Sequence, residues 1–226
     1  LAEAGADIFF THWSTFDKTE GVGIEKDFPE HLANKIMSLG VKCFHMELDL
    51  SLPDSPVKLL DEVEKTIGTP TILVNNATYE SRSNFRNLNA DILYRHYQVN
   101  NFGTILLSTE FAKRYEKAFT RQKGGRIIHL VSGGADPNNL AYIATKGALI
   151  AITEPLSVGL ALIGITVNSV DPGPTDTGWM SDDVKTHLAP LFPMGRIGVP
   201  SDAAKLIKFL ASDDSEWITG QLFKSE

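Results

Sequence analysis

Tyr142 and Lys146 stand four residues apart on a helix predicted from about Leu140 to Leu162, so their side chains leave one face about a turn apart. A phenol ordinarily keeps its proton to about pH 10. A cation held beside it stabilises the phenolate and makes the tyrosine a usable acid and base nearer neutrality. Ser132 ends the apolar run before that helix, where its hydroxyl can orient a substrate oxygen and share the charge that develops on it. Tyrosine and lysine at this spacing also occur on helices that do no chemistry. The pair gains meaning only from what the rest of the chain places around it.

The elements that must do this placing alternate along the sequence. Leu1 to Gly5 reads as the last turn of a helix closed by glycine. Apolar runs at Asp7–Thr11, Val41–Leu48, Thr71–Val74, Arg126–Val131 and Ile165–Val170 read as strands, and Gln221-Leu222-Phe223 as the beginning of a last one. Between the first two, a polar segment from His12 to about Asp27, with Gly21 and Gly23, reads as loop, and a helix opening at Pro29 ends near Gly40. Ser51 is placed to cap a helix that reaches about Ile67, with Gly68 as its stop. A long helical stretch runs from about Asn89 to Ala118 and is broken by Gly124-Gly125; Ser201-Asp202 opens a late helix. This rhythm predicts an α/β fold of the Rossmann type: a doubly wound parallel sheet, helices on both faces, one domain over residues 1–226. Ligands of such sheets bind beyond the carboxyl ends of the strands. Five polar places fall there: Thr11-His12-Trp13-Ser14, Asp49-Leu50, Asn75-Asn76-Ala77, Ser132 and Pro172-Gly173.

Composition narrows the partners. With 226 residues, 42% of them hydrophobic, the chain can bury one sizeable core, and its formal net charge of −7 argues against nucleic acid or an anionic membrane surface. Cys43 is the only cysteine, so no intrachain disulfide framework or cysteine-rich metal site forms, and a cytoplasmic location is the default expectation. No apolar run approaches the ~18 residues of a membrane span. His12, His31, His45, His96, His129 and His187 are scattered, with no two at ligand spacing on one helix, and no metal is assigned. Trp179 and Met180 either line a substrate lid or pack; Phe102 and Tyr115 read as core or subunit interface.

Several segments together resemble the short-chain dehydrogenase/reductase family. Tyr142-Ile143-Ala144-Thr145-Lys146-Gly147-Ala148 resembles its YxxxK segment, Asn75-Asn76-Ala77 its NNAG turn, and Val99-Asn100 its VN pair. Gly125 to Ser132 resembles the strand that ends in the family's serine, and Thr166 to Gly173 the strand and PG turn near the nicotinamide. Pro193 to Gly198 and Trp217 to Gly220 extend the likeness over nearly the whole chain. The resemblance implies an oxidoreductase that interconverts a carbonyl and an alcohol by hydride transfer with NADP or NAD, acting on a small molecule as a homodimer or homotetramer. Tyr142 would be the general acid or base, and Lys146 would assist it and contact the ribose. Ser132 would position the substrate oxygen, and Asn100 would complete a proton relay through a water. Asp49 and Leu50 would flank the adenine, Asn76 and Ala77 would pass near the cofactor, Pro172 and Gly173 would lie near the nicotinamide, and Thr175 and Thr177 would hold its carboxamide, Thr177 being the better match. Thr11-His12-Trp13-Ser14 carries no carboxylate to repel a 2′-phosphate, which favours NADP over NAD. The run Pro172 to Met180 resembles bacterial 3-oxoacyl-acyl-carrier-protein reductases.

Four departures stand beside the likeness. No glycine-rich phosphate loop precedes Asp7, so the sequence reads as N-terminally incomplete, without the first strand, and as short at its C-terminus too. Nine residues separate Ser132 from Tyr142, a shorter connection than the family usually has. Pro155 and Gly159 lie inside the predicted helix, and Thr78 stands where the NNAG turn has glycine. These keep two other readings open: a dinucleotide-binding relative without turnover, and an inactive truncated fragment.

Overall fold

The computed structural model describes residues 1–19, 27–119, 124–178 and 180–225. In chain order its elements are β1 (Ile8–His12), α1 (Ser14–Thr19), α2 (Phe28–Met37), β2 (Cys43–Glu47), α3 (Ser55–Thr66), β3 (Ile72–Asn75), α4 (Ala90–Tyr97), a π-helical turn (Gln98–Gly103) and α5 (Thr104–Ala118). There follow β4 (Gly125–Leu130), α6 (Leu140–Leu160), β5 (Ile165–Asp171), α7 (Asp182–Leu188), α8 (Pro200–Ala211) and β6 (Leu222–Lys224). Every strand pairing is parallel, as strands alternating with helices require. The fold is α/β. The contacts divide the chain into two compact units.

The first unit comprises Leu1–Thr71, Ala77–Ser81 and Asn89–Phe119. β1 and β2 pair from Ile8 opposite Cys43 to His12 opposite Glu47. α2 packs on β2 and α3 on α5, and Leu59, Leu60 and Val63 of α3 and Leu107, Phe111 and Tyr115 of α5 are buried. Arg114 of α5 ties the two helices, its guanidinium 2.8 Å from Asp61, 2.9 Å from Glu64 and 3.0 Å from Glu110. Asn89 caps α4 by accepting the Ile92 amide at 3.0 Å, and the helical run continues through the π turn into α5. Gly103, at the end of that turn, passes so close to β2's exit that a Cβ there would stand 2.2 Å from the Leu50 carbonyl oxygen.

The second unit comprises Ile72–Asn76, Arg82–Leu88 and Thr120–Glu226. Its sheet runs β3-β4-β5-β6. β5 is buried along its whole length and β4 up to Leu130, the pattern of strands covered on both faces. Ile128, Val170 and Leu210 form a buried cluster, with Leu206, Ile207, Ile218 and Phe223 packed around it, so α8 closes one side of the sheet. α6 packs along β5. Pro155 lies inside α6 without ending it; the helix-breaking cost of proline is local, and the packing of the helix on β5 offsets it.

Several expectations are corrected. Within the segment expected to be loop, Ser14–Thr19 is helical, because Ser14 donates its amide (3.1 Å) and its hydroxyl to the Glu47 carboxylate, an anion at a helix start. Gly21 and Gly23 of that segment lie outside the described residues. Ser51 does not cap α3: Asp54 precedes its first turn and Pro56 sits inside it, while Ser51 donates its amide to Asp49 within the preceding turn. α7, which no sequence signal had marked, is capped by the Ser181 hydroxyl. By length, and by a mean hydropathy of 1.5 over an 18-residue window, Leu140–Ile163 is long and apolar enough to cross a membrane, a test that the core helix of a soluble protein also passes. Lys146 and Glu154 interrupt it, so a search for uninterrupted apolar runs misses it.

Candidate functional site

In the second unit, β4 delivers Ser132 just past its carboxyl end, half-buried. Tyr142 and Lys146 follow in the first two turns of α6. Lys146 is 2% exposed; its ammonium donates to the Leu130 carbonyl at 2.8 Å and lies 5.4 Å from the centroid of the Tyr142 ring. The sequence-predicted pair is therefore one electrostatic unit anchored to the strand that carries Ser132. The short Ser132–Tyr142 connection is fixed by a residue the sequence did not single out. Ser83, 1% exposed, accepts the Leu140 amide on its carbonyl (2.9 Å) and the Ala141 amide on its hydroxyl (3.0 Å), and donates its own amide to the Asn138 carbonyl (2.9 Å). Arg82 adds an ion pair to Asp136 at 3.0 Å. This clamp sets where α6 begins, and with it the height of Tyr142.

His129, on β4, is fully buried, with Nδ1 3.1 Å from Asn75 Nδ2 across the β3–β4 ladder. Its Nε2 meets no partner among the described residues. Burial, reinforced by the Lys146 ammonium, pushes His129 down to about 4, so a neutral imidazole lies near the lysine. Of the cofactor candidates in this unit, Asn76 is exposed after β3, its amide donating to Val74. Gly173 takes φ +63° in the turn after β5 and donates its amide to Asp171, and the half-buried Pro172 precedes it. The Thr175 hydroxyl folds back onto the Pro172 and Gly173 carbonyls, whereas Thr177 is exposed. Met180 is buried, and Trp179 lies outside the described residues.

In the first unit, Asn100 is fully buried in the π turn. Its Oδ1 accepts the Tyr79 amide (2.7 Å) and the Thr78 hydroxyl (3.1 Å), and its Nδ2 donates to the Tyr79 carbonyl (2.9 Å). Thr78, in place of the glycine expected there, thus supplies an extra bond to Asn100. A cleft of about 230 Å³ opens beside it, lined by Thr11, His12, Trp13, Leu48, Leu50, Ala77, Thr78, Tyr79 and Val99. It brings together Thr11, His12, Trp13, Leu50 and Ala77 from three separated stretches of sequence. Ser14 and Asp49 are not in its wall: Ser14 binds Glu47, and Asp49 accepts the Ser51 amide at 2.8 Å. Ser14's hydroxyl and amide hold the Glu47 carboxyl below its usual range. At the cleft's edge His12 meets His45, with Nε2 and Nδ1 3.2 Å apart, a pair that a search along helices alone could not find. The signal lies in the strand register: Phe10 opposes His45, so residues 10, 12, 45 and 47 share one face of the ladder. Apolar walls with a few hydroxyls and an imidazole suit a purine nucleoside in size and chemistry.

A family model described as enoyl-(acyl carrier protein) reductase matches residues 1–225. An uncharacterized oxidoreductase, YjdA, of Bacillus subtilis (strain 168) is 45% identical over 229 residues, covering 100% of this chain and 87% of that protein. Among solved structures, a short-chain dehydrogenase/reductase from Serratia marcescens BCRC 10948 superposes with a TM-score of 0.85 at 27% identity, covering 99% of this chain and 87% of that one. A gluconate 5-dehydrogenase from Burkholderia cenocepacia J2315, in complex with NADP and tartrate, gives 0.82 at 26% identity, covering 99% and 85%.

Proposed function

Because the chain belongs to the short-chain dehydrogenase/reductase family of NAD(P)-dependent oxidoreductases, we propose that Ser132, Tyr142 and Lys146 are its catalytic group for carbonyl–alcohol interconversion. The observation that carries this assignment is the Lys146 ammonium held over the Tyr142 ring by the Leu130 carbonyl. When bound, the nicotinamide dinucleotide would supply the hydride in reduction or accept it in oxidation. In the reductive direction the Tyr142 hydroxyl gives its proton to the substrate oxygen, and Lys146 stabilises the phenolate left behind. The Ser132 hydroxyl donates to the same oxygen and fixes its position. Asn100 acts by clamping Thr78 and Tyr79, and so the wall of the cleft.

The cleft would hold the adenosine end of the cofactor, Leu48 and Leu50 offering apolar wall for the base and Thr11 and His12 polar groups for the ribose. NADP is the preferred form, since among the described residues no carboxylate lines the wall to repel a 2′-phosphate. Gly173 and Thr177 are assigned to the nicotinamide end. The substrate is a small carbonyl compound; a 3-oxoacyl thioester is the first class to test, from the likeness of Pro172–Met180 and the acyl-carrier description of the matching family model. Residues 1–226 act as a single catalytic domain in a cytoplasmic homo-oligomer, for which exposed Val158 in the last turn of α6 and Leu162 just beyond it offer apolar surface. Tyr142→Phe decides the assignment. It is expected to cut turnover by about 10²–10⁴-fold while cofactor binding, followed by nicotinamide fluorescence, persists. Unchanged turnover would remove Tyr142 from the mechanism.

A further inference from the structure

His12 does more than leave a carboxylate out of the cleft. Among the nine described residues that line it, His12 alone can carry a positive charge. Its Nε2 lies 3.2 Å from His45 Nδ1 on β2, and His45 Nε2 lies 3.2 Å from the Glu30 carboxylate on α2. The order of protons along this chain is fixed from its outer end. An ionised carboxylate only accepts, so His45 carries its proton on Nε2, and its Nδ1 is left to accept from His12 Nε2–H. A second proton on His12 then sits at Nδ1, and the imidazolium is stabilised by His45 directly and by Glu30 through it. Phe10 stacks on His45 at 5.3 Å, which holds the middle ring in plane for both bonds. Among the described residues, Glu47 on β2 also faces His12 and attracts its charge, and Lys18 on α1 acts on that same carboxylate.

A ribose diol is indifferent to that charge, and a ribose 2′-phosphate, a dianion above about pH 6, is not. We propose that the His12–His45–Glu30 chain makes recognition of the cofactor's 2′-phosphate proton-linked, so that NADPH binding requires a protonated His12 and NADH binding does not. The proposal rests on the reading of the cleft as the adenosine site. Glu30, outside the cleft, is then a positioning residue that selects the His45 tautomer, and cofactor preference becomes a function of pH.

The test titrates the whole protein with NADPH and with NADH between about pH 5.5 and about pH 8.5, by nicotinamide fluorescence and by calorimetry in two buffers of different ionisation heat. NADPH affinity is expected to fall about tenfold or more across the range, with proton uptake on binding at the upper end, while NADH affinity stays level. His12→Lys should keep NADPH binding and lose the slope, and Glu30→Gln should move the slope to lower pH. Parallel pH profiles for the two cofactors, or a slope that survives in His12→Gln, would overturn the proposal and leave the adenosine site standing. A cooperatively folded protein that binds neither cofactor at any pH would remove the adenosine reading, and this inference with it.

Discussion

Burying His129 as a neutral imidazole makes the stability of the protein fall on acidification, in a window above the one where carboxylates matter. The folded-state value is about 4 and the unfolded one is 6.5. Between these limits the unfolded chain binds a proton that the native state refuses, so stability rises with pH there and is lost as pH falls through 6.5. The slope approaches 1.36 kcal/mol per pH unit, and over the whole window it sums to about 3 kcal/mol. Glu47, Asp54, Asp176 and Asp202 have lowered values, and their contributions disappear only at lower pH. Measurements between about pH 7.5 and about pH 5 therefore isolate the histidine and should show about 2 kcal/mol, a fall in Tm of about 4–8 °C for a chain of this size. The assay is thermal or urea unfolding of the native protein and of His129→Gln, compared by slope rather than by baseline. The variant should flatten the profile. An identical slope in both proteins would refute the reasoning, because it would mean that His129 protonates in place.

Three further outcomes follow from the geometry. Gly103→Ala should cost about 1–3 kcal/mol and weaken cofactor binding, since its Cβ would meet the Leu50 carbonyl; Gly147→Ala, whose Cβ meets nothing within 4 Å in a helix, should be neutral or stabilising by up to about 1 kcal/mol, and urea midpoints check both. Asn100→Ala leaves the Tyr79 amide and carbonyl without their side-chain partner inside the fold and should destabilise by about 2–4 kcal/mol, measured by denaturant titration. Ser83→Ala removes the hydroxyl bond to the Ala141 amide; turnover should fall more than Tm does, and an unchanged kcat would show that the start of α6 is held without it.

The strands and long helices were legible because their signals are local. β1, β3, β4 and β5 lie within a residue of the apolar runs that predict them, and Asn89 marks the helix start that it caps. What escaped prediction depends on partners distant in sequence. α1 owes its start to Glu47, 33 residues later, and the fixed connection before Tyr142 owes its position to Ser83, more than 50 residues earlier. The His12–His45 pair exists only because two parallel strands bring residues 33 apart onto one face. The placement of Tyr142 and Lys146 on one helix could be read directly from their spacing. Thr78, which stands where the NNAG turn has glycine, bonds Asn100, because the hydroxyl that replaces the glycine's hydrogen finds an acceptor within reach.

Lys146 poses the sharpest question of cause. An ammonium at 2% exposure is costly to keep charged, and a methionine would fill much the same volume with no desolvation penalty. If the residue served packing alone, Lys146→Met should be neutral for every property. If it is retained for its charge beside the Tyr142 ring, the same variant should leave Tm unchanged or raised while turnover falls by about 10²-fold or more, and the two readouts separate. The neighbouring histidine supplies an independent check on the electrostatics. Part of the depression of His129 comes from this ammonium, so the variant should move the His129 acid window toward its unfolded value and shorten the pH range over which stability declines. A variant that kept full turnover, with the His129 window unmoved, would mean that the lysine's charge is felt by neither ring.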